Sequence, residues 1–523
     1  MGLARTRGVA LVGVQGHLVD IEADLGLGLP SYNLVGLPDA SLSESRDRVR
    51  AAMVNSGHDW PSTKRVTINL SPASLPKRGS SFDVAIAAAI LGAQGVVPPR
   101  CFRDAVLLGE LGLDGRVRPV RGVLPAVAAA ARAGVDSVVV PAANAAEAAL
   151  VPGVRVLGVR SLAGLVAHAR GEPLPEIETA EVPDAAVVDD AGRDDAHRVD
   201  LADVLGQATA RYLLEVAAAG GHHLLMSGPP GAGKTMLAER LPGLLPVLDR
   251  ESALEVTTVH SVAGALPDGC PLLAIPPLQA PHHTASVAAI VGGGSAYVRP
   301  GAASLAHRGV LFMDEAPEFA PAVLDALREP LESGSITIAR LATRVTFPAR
   351  FQLVLAANPC PCGLAAGAHG LRGASACTCT PMARIRYLGR LSGPLLDRVD
   401  LRIEMRPATR ADLRGDRSTV EGTEVVALRV AEARARMAHR LADTPWRVNA
   451  DVPGHAMRRL WQLPWEVVGE AERLLDRGVL TARGVDRVVR VAWTLADLSG
   501  RDRPDAGDVR IALECRGVAT WAA

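Results

Sequence analysis

The sequence predicts an α/β protein of several domains: an α/β domain first, then a nucleotide-binding core on a parallel sheet, then a small all-helical domain. Three observations lead there. The chain has 523 residues, too many for one hydrophobic core, and at ~150 residues per domain it should hold about three. Short apolar or β-branched runs alternate with Ala-rich stretches over much of its length, as strands and crossover helices do. GPPGAGKT (Gly228 to Thr235) lies between an apolar run and a helix-forming stretch, the strand-loop-helix setting of a phosphate loop.

In order along the chain, residues 1–170 hold strand-like runs such as RVTINL (Arg65 to Leu70) and DSVVVP (Asp136 to Pro141) among Ala-rich helical stretches. They read as one α/β domain. Residues 171–198 are acidic, contain proline and almost lack large apolar residues, so they read as a solvated linker. Residues 199–406 carry HHLLMSG, GVLFMDE and FQLVLAANP, apolar runs punctuated by Gly-rich loops; this suits a parallel sheet with crossover helices. Residues 407–523 turn helical, with VVALRVAEARARMAHRLAD and GVDRVVRVAWTLADLSG spacing their apolar residues at the helical period.

Lys+Arg and Asp+Glu both number 56, but the charge is uneven. From Gly171 to Asp203 eleven acids stand against Arg193 and Arg198, a balance of −9 that leaves +9 on the remainder. A basic body is consistent with an anionic partner such as DNA. No apolar run approaches the ~18 to 20 residues that span a bilayer. The N-terminal MGLARTRGVALVGVQGHLVDIE has a short, Gly-broken apolar stretch followed by acids, unlike a signal peptide. Seven cysteines fit no disulfide scaffold in a chain this long. Together these features point to the cytoplasm and away from a membrane.

The phosphate loop is Gly228, Pro229, Pro230, Gly231, Ala232, Gly233, Lys234 and Thr235. Its glycines let backbone N–H groups wrap phosphates at a helix N-terminus, Lys234 neutralises the β and γ phosphates of ATP, and the Thr235 hydroxyl suits Mg2+. Lys64, Lys77 and Lys234 are the only lysines in the chain, so the loop keeps a compact ammonium where arginine serves elsewhere. About eighty residues on, GVLFMDE (Gly309 to Glu315) is an apolar strand ending in two acids, the Walker B arrangement. Asp314 there is a candidate to hold Mg2+ through water, and Glu315 to orient and deprotonate the attacking water. FQLVLAANP ends at Asn358, which either touches the γ-phosphate or attacking water or simply forms a turn. SGPLLDRVDL (Ser392 to Leu401) places Arg398 beside Asp397 and Asp400. That arginine is either paired locally or presented to a neighbouring subunit's ATP as an arginine finger.

CPCG (Cys360 to Gly363) and CTC (Cys377 to Cys379) give C-x-C, a fourteen-residue loop and C-x-C. Zinc takes four soft ligands in a tetrahedron, and Cys360, Cys362, Cys377 and Cys379 can supply them as a structural Zn2+ site beside Asn358. The alternatives are small buried thiols or a redox pair.

With these residues in order, the chain resembles AAA+ ATPases of the magnesium-chelatase type, and specifically the ComM (YifB) family. The stretches that carry the likeness are DVLGQATARYLLEVAAAGGHHLLMSGPPGAGKT, APHHTAS followed by VGGG, PGAASLAHRGVLFMDEAPEF, AANPCPCG, SGPLLDRVDL and TARGVDRVVRVAWTLADLSG. The resemblance implies that Asn358 is sensor 1, Arg398 a trans-acting finger, and Arg483 the sensor 2 arginine of a helical lid. It also implies a homo-oligomeric ring, usually a hexamer. His282 and His283 belong to the family's PHH motif, as either loop structure or ligand contacts. ITIARLATRVTF (Ile336 to Phe347) reads as two β-rich arms around a turn; in related motors such a hairpin touches DNA in the ring pore. Arg340 and Arg344 are then candidates for phosphate contacts, the alternative being a solvated hairpin.

The first domain is similar to the Lon-type domain of this family, with LPKRGSSFDVAIAAAI at the serine segment and GELGLDGRVRPVRGVLPAV at the lysine segment. Ser81 falls at the nucleophile's position, but the lysine segment offers Arg121, Leu124 and Ala126. Lys77 stands too close before Ser81 to be the same element, and Lys64 belongs to another segment, so the domain reads as a pseudo-protease. The resemblance implies ATP-driven movement on single-stranded or branched DNA, as branch migration in the recombination of incoming DNA. The other readings are a chelatase-like remodeller of a partner protein or of metal insertion, and a Lon-like protease, which the missing lysine argues against.

Overall fold

The computed structural model describes residues 2–173, 199–267, 269–294, 298–339, 344–365, 377–410, 412 and 420–517. Residues 174–198 of the stretch read as an acidic linker therefore lie outside the described residues. The chain divides into two compact units, Met1–Arg193 with Ala253–Leu273, and Asp194–Ser252 with Ala274–Ala523.

The first unit contains β1 (Gly2–Val12), β2 (Gln15–Gly26), β3 (Ser31–Val35), β4 (Arg65–Ser71), β5 (Val106–Leu107), β6 (Glu110–Leu111), β7 (Val117–Arg118), β8 (Ser137–Pro141) and β9 (Arg155–Val159). Seven of them form a sheet in the order β3-β4-β2-β1-β5-β8-β9, and β6 pairs with β7. β2 is antiparallel to both β1 and β4, and β5, β8 and β9 run parallel to one another. In β2, Val19, Ile21, Ala23 and Leu25 are buried at every second position, the pattern of a strand with one face on a core. The helix Asp83–Gln94 covers that core and buries every residue except Gln94. Its first residue, Asp83, is fully enclosed and meets Arg48 at 2.7 and 3.1 Å. Burial pushes that carboxyl up to about 6, against the pull of Arg48. The segment Ala253–Leu273, within the stretch read as the ATPase core, joins this unit through Ser261, whose hydroxyl donates to the buried Glu147. Glu147 also accepts from the backbone N–H of Leu124 at 2.9 Å.

The second unit contains β10 (Leu224–Ser227), β11 (Leu278–Gln279), β12 (Val310–Met313), β13 (Ser335–Ala339), β14 (Arg344–Pro348), β15 (Gln352–Ala357) and β16 (Leu401–Glu404). Five form a wholly parallel sheet in the order β11-β12-β15-β10-β16. Every residue of β12 and β15 is buried, which is why both, apart from Gln352, read as apolar runs rather than alternating ones. β13 and β14 form the antiparallel hairpin expected from ITIARLATRVTF, with Ala339 opposite Arg344. The expected mixed α/β class with a parallel nucleotide-type sheet is thus the observed one.

Helices follow the sheet, as the Ala- and Arg-rich periodicity predicts. Thr423–Leu441 buries Val426, Val430, Ala433, Met437 and Leu441, a stripe at helical spacing. Ala482–Leu498 starts at Thr481, whose hydroxyl accepts from Gly484 N–H at 3.0 Å. The capping box of Asp505 and Asp508 opens Ala506–Cys515. No helix among the described residues is long and apolar enough to cross a membrane.

One buried polar network pins the helical region. Asp497 receives both guanidinium nitrogens of Arg440 at 2.5 and 2.6 Å and the amide of Asn449 at 2.9 Å, while Arg440 lies 4.5 Å over the Trp493 ring. Removing one partner strands a desolvated charge, so Asp497→Ala should destabilise the helical region by about 3–5 kcal/mol. Chemical denaturation followed by Trp fluorescence would read that loss, and an unchanged midpoint would show the network to be dispensable.

Candidate functional site

The phosphate loop, Asp314, Glu315 and Asn358 lie in the second unit, beyond the carboxyl ends of β10, β12 and β15, where ligands bind in open parallel sheets, whereas Arg398 precedes the amino end of β16. The phosphate loop leaves β10 and enters the helix Lys234–Leu244. Gly231 and Gly233 have φ of +77° and +90°, a left-handed region that glycine enters without steric cost. A Cβ on Gly228 would sit 2.6 Å from the Met405 carbonyl oxygen, so the loop fits against the chain after β16 only as glycine.

Lys234 is almost fully enclosed. Its Nζ donates to the Gly228 and Pro229 carbonyls at 2.7 and 3.0 Å and to Asn358 Oδ1 at 3.1 Å. Burial lowers its pKa, opposed by the nearby Asp314 and Glu315 carboxylates. The Thr235 hydroxyl donates to Asp314 Oδ2 at 2.8 Å. A hydroxyl and a carboxylate so placed at the loop fit Mg2+, an oxygen-seeking ion that binds through few protein groups and keeps waters. Glu315 follows with φ 51° and ψ 42°, a left-handed conformation that costs a non-glycine residue about 1–3 kcal/mol. Its N–H donates to Asp314 Oδ1 at 2.8 Å, and its Oε2 lies 3.2 Å from His283 Nδ1.

The arginines behave differently from one another. Arg398 is held locally, though by neither flanking acid: its Nη2 pairs with Glu332 and its Nη1 donates to the Pro394 carbonyl at 2.6 Å. Asp397 instead faces Arg516 at 3.7 Å and Arg483 at 3.8 Å. Asp400 is fully buried; burial opposes its charge, but Arg487 and His222 hold the carboxyl well below its usual range. Arg483 is 72% exposed on the first turn of Ala482–Leu498. One turn on, Arg487 donates to Asp400 at 2.5 Å and to the Arg398 carbonyl at 2.9 Å. Sequence reasoning missed Arg487, although Arg483, Arg487 and Arg490 follow the spacing of one helix face. It also missed Tyr387, whose hydroxyl, beside the Asn358 backbone, is pushed up to about 12 by burial and Glu318.

The four clustered cysteines do converge. The sulfurs of Cys360, Cys362, Cys377 and Cys379 all lie within 4.8 Å of one another, and those of Cys360, Cys362 and Cys377 are 3.3, 3.5 and 3.7 Å apart. A Zn–S bond of about 2.3 Å in a tetrahedron separates sulfurs by about 3.8 Å, so these thiols fit zinc with little movement. The Leu364 backbone N–H and the Cys360 thiol draw the Cys362 thiol down to about 6, toward the thiolate that a metal needs. Gly363, at φ +74°, brings this loop onto the phosphate loop: a Cβ there would lie 2.6 Å from Pro230 Cδ.

Of the hairpin arginines, Arg344 is exposed at the start of β14, while Arg340 lies outside the described residues. In the first unit, the Ser81 carbonyl accepts from Gly109 N–H at 3.0 Å. Lys77 is fully buried and donates to the Pro72 carbonyl.

A phosphate loop, a Walker B pair and a polar strand tip on one parallel sheet, followed by a helical region, define a P-loop ATPase of the AAA+ class. Comparison with known proteins refines this. Residues 200–413 match the family described as magnesium chelatase, subunit ChlI; residues 420–516 match its C-terminal family, and residues 21–144 match subunit ChlI of Mg-chelatase. The chain is 53% identical over 521 residues to an uncharacterized protein of Mycobacterium tuberculosis, covering 99% of both. It is 40% identical over 504 residues to the competence protein ComM of Haemophilus influenzae, covering 96% of this chain and 95% of that one. It is 39% identical over 502 residues to YifB of Escherichia coli, covering 96% and 94%. A stretch covering 36% of the chain is 28% identical over 207 residues to the Lon protease of Rhizobium meliloti. The chain belongs to the ComM/YifB family of magnesium-chelatase-like AAA+ ATPases.

The contact between the cysteine loop and the phosphate loop generates a test. Gly363→Ala adds a Cβ at a left-handed position against Pro230, and should weaken ATP binding about tenfold, or ~1.4 kcal/mol. A fluorescent-nucleotide titration would measure it; unaltered affinity would separate the two loops.

Proposed function

We propose that this protein is a ring-forming ATPase of the cytoplasm that converts ATP hydrolysis into movement on DNA, driving branch migration as incoming DNA recombines. The observation that carries the reading is the near full-length likeness to a competence protein, joined to an ATP site in a unit that also holds a separate antiparallel hairpin with an exposed arginine. In this reading the loop Gly228 to Thr235 cradles the triphosphate, and Thr235 and Asp314 hold Mg2+, which would supply charge neutralisation at the phosphates. Glu315 takes the proton of the attacking water, and Asn358 orients it. Arg483 closes the helical lid over the nucleotide.

Arg398 leaves Glu332 to meet the ATP of the next subunit, so the site is completed by assembly into a homo-oligomer, a hexamer by family analogy. Arg344, with Arg340, contacts phosphates of single-stranded or branched DNA, which gives affinity without base readout. The cysteine quartet holds a structural Zn2+ that fixes the segment after Asn358. The first domain serves assembly or partner contact rather than proteolysis, since Arg121, Leu124 and Ala126 occupy the segment where a catalytic lysine would be needed. A second reading, a chelatase-like remodeller acting on a partner protein, is supported by the description of the families matched over residues 21–144 and 200–413.

Steady-state hydrolysis by the purified protein separates the readings, with Lys234→Ala as the inactive control. The motor reading expects at least several-fold stimulation by single-stranded or four-way-junction DNA, weakened as salt rises. Hydrolysis indifferent to every DNA would sink it and favour a protein or tetrapyrrole substrate. Metal analysis should find about one zinc per chain, lost on Cys360→Ser with Cys362→Ser. A metal-free protein with full ATPase activity would leave the quartet as plain thiols.

A further inference from the structure

The Arg398 side chain is held only by contacts that it gives up when it turns to another subunit. Its guanidinium pairs with Glu332 and donates to the Pro394 carbonyl, and its Nε has no partner among the described residues. Once those contacts break, the direction of the side chain depends on the backbone turn that carries it.

Three guanidinium groups cap the carbonyls of that turn. The Leu396 carbonyl, which ends the short helix Gly393–Leu396, accepts from Arg402 Nη2 at 2.8 Å. The Arg398 carbonyl accepts from Arg487 Nη1 at 2.9 Å, and the Val399 carbonyl from Arg516 Nη1 at 3.0 Å. Carbonyls at a helix end have no partner within the helix, so caps of this kind fix the path of the chain that follows. Arg487 and Arg516 also meet the acids of the turn: Arg487 donates to Asp400 at 2.5 Å, and Arg516 lies 3.7 Å from Asp397.

Arg402 belongs to β16, but the other two arginines come from the helical region, Arg487 on Ala482–Leu498 and Arg516 just past Ala506–Cys515. The far side of the turn is anchored to the strand that leads into the phosphate loop. The His223 carbonyl, one residue before β10, accepts from the N–H groups of Asp400 and Leu401 at 3.1 and 3.0 Å, and His223 N–H donates to Asp400 Oδ2 at 3.3 Å. Beside it, His222 Nε2 lies 2.8 Å from the Thr494 hydroxyl of Ala482–Leu498. The turn is thus gripped between the start of β10 and the two helices. Buried charge pairs add little net stability over an apolar contact, whereas charge-assisted bonds fix geometry closely. Such a grip suits a turn whose direction matters.

We infer that Arg487 and Arg516 are positioning residues for Arg398, holding its turn so that the guanidinium, once released from Glu332, points at the neighbouring subunit's ATP. The inference rests on the reading of Arg398 as a finger acting in trans. Neither arginine touches nucleotide in this scheme, and both act only through the turn.

Subunit mixing separates a lost finger from a lost ATP site. Lys234→Ala has no working ATP site but keeps its finger, so in a mixed assembly it completes the site of a finger-deficient neighbour. Arg487→Ala and Arg516→Ala should each bind a fluorescent ATP analogue within about twofold of wild type, yet lose about tenfold or more in kcat. Mixed one to one with Lys234→Ala, itself inactive, each should hydrolyse ATP several-fold faster than it does alone. Arg398→Ala mixed in the same way sets the recovery that a missing finger allows. Recovery there but none with the Arg487 and Arg516 variants would overturn the inference, as would wild-type kcat in both. Arg487→Ala leaves the buried Asp400 without its cation, whereas Arg516 faces the more exposed Asp397. If Arg487→Ala binds no nucleotide, Arg516→Ala decides. Absence of recovery with Arg398→Ala would instead refute the trans finger itself, and the inference with it.

Discussion

β12, β15 and β10 are adjacent and parallel, with β12 and β15 buried on both faces, so the phosphate loop, Asp314 and Asn358 emerge together at the carboxyl edge of the sheet. The register Leu311↔Leu353 and Leu224↔Val354 then sets where Asp314, Asn358 and the phosphate loop stand relative to one another. The hydrogen bond from Lys234 to Asn358 at 3.1 Å spans two of those strand tips, and the one from Thr235 to Asp314 at 2.8 Å ties the loop to the third. These contacts link strands rather than neighbours in sequence. A slip of one residue in any of these strands would move its site group by about 3.3 Å along the strand.

The isolated chain leaves its charged groups engaged internally. Each charged group has an internal partner in the isolated chain: Lys234 has carbonyls, Glu315 has His283 and Arg398 has Glu332. Nucleotide, substrate and a neighbouring subunit are the partners proposed to replace these. Arg487 is the joint between parts, since one guanidinium holds buried Asp400 and the carbonyl of Arg398. The helix Ala482–Leu498 is therefore tied directly to the turn that carries Arg398.

Much of this was legible in the sequence because it was written locally. β12 and β15 announce themselves as largely apolar runs because a parallel strand buried on both faces cannot alternate. The phosphate loop is visible because its glycines and Lys234 sit at fixed spacing, and the cysteine quartet because four thiols fall within twenty residues. What escaped was non-local. The β1–β2 hairpin was passed over in a stretch weighed only as a leader, and β11, two residues long, is too short for any period to mark. His283 could be quoted from its motif, but its contact with Glu315, thirty-two residues on, depends on the pairing of β11 with β12. Arg398 could be read as paired or presented, yet its actual partner, Glu332, lies far from the two acids beside it in sequence. Chain order showed which residue types were available; sheet order determined which of them meet.

Energy coupling to DNA is the central claim, and moving a junction is its most direct expression. A four-way junction with homologous arms, incubated with the protein and ATP, should be resolved into separated duplexes at a rate that saturates with ATP. It should remain intact with Lys234→Ala or with a non-hydrolysable analogue. An intact junction in the presence of bound protein and ongoing hydrolysis would contradict a DNA motor.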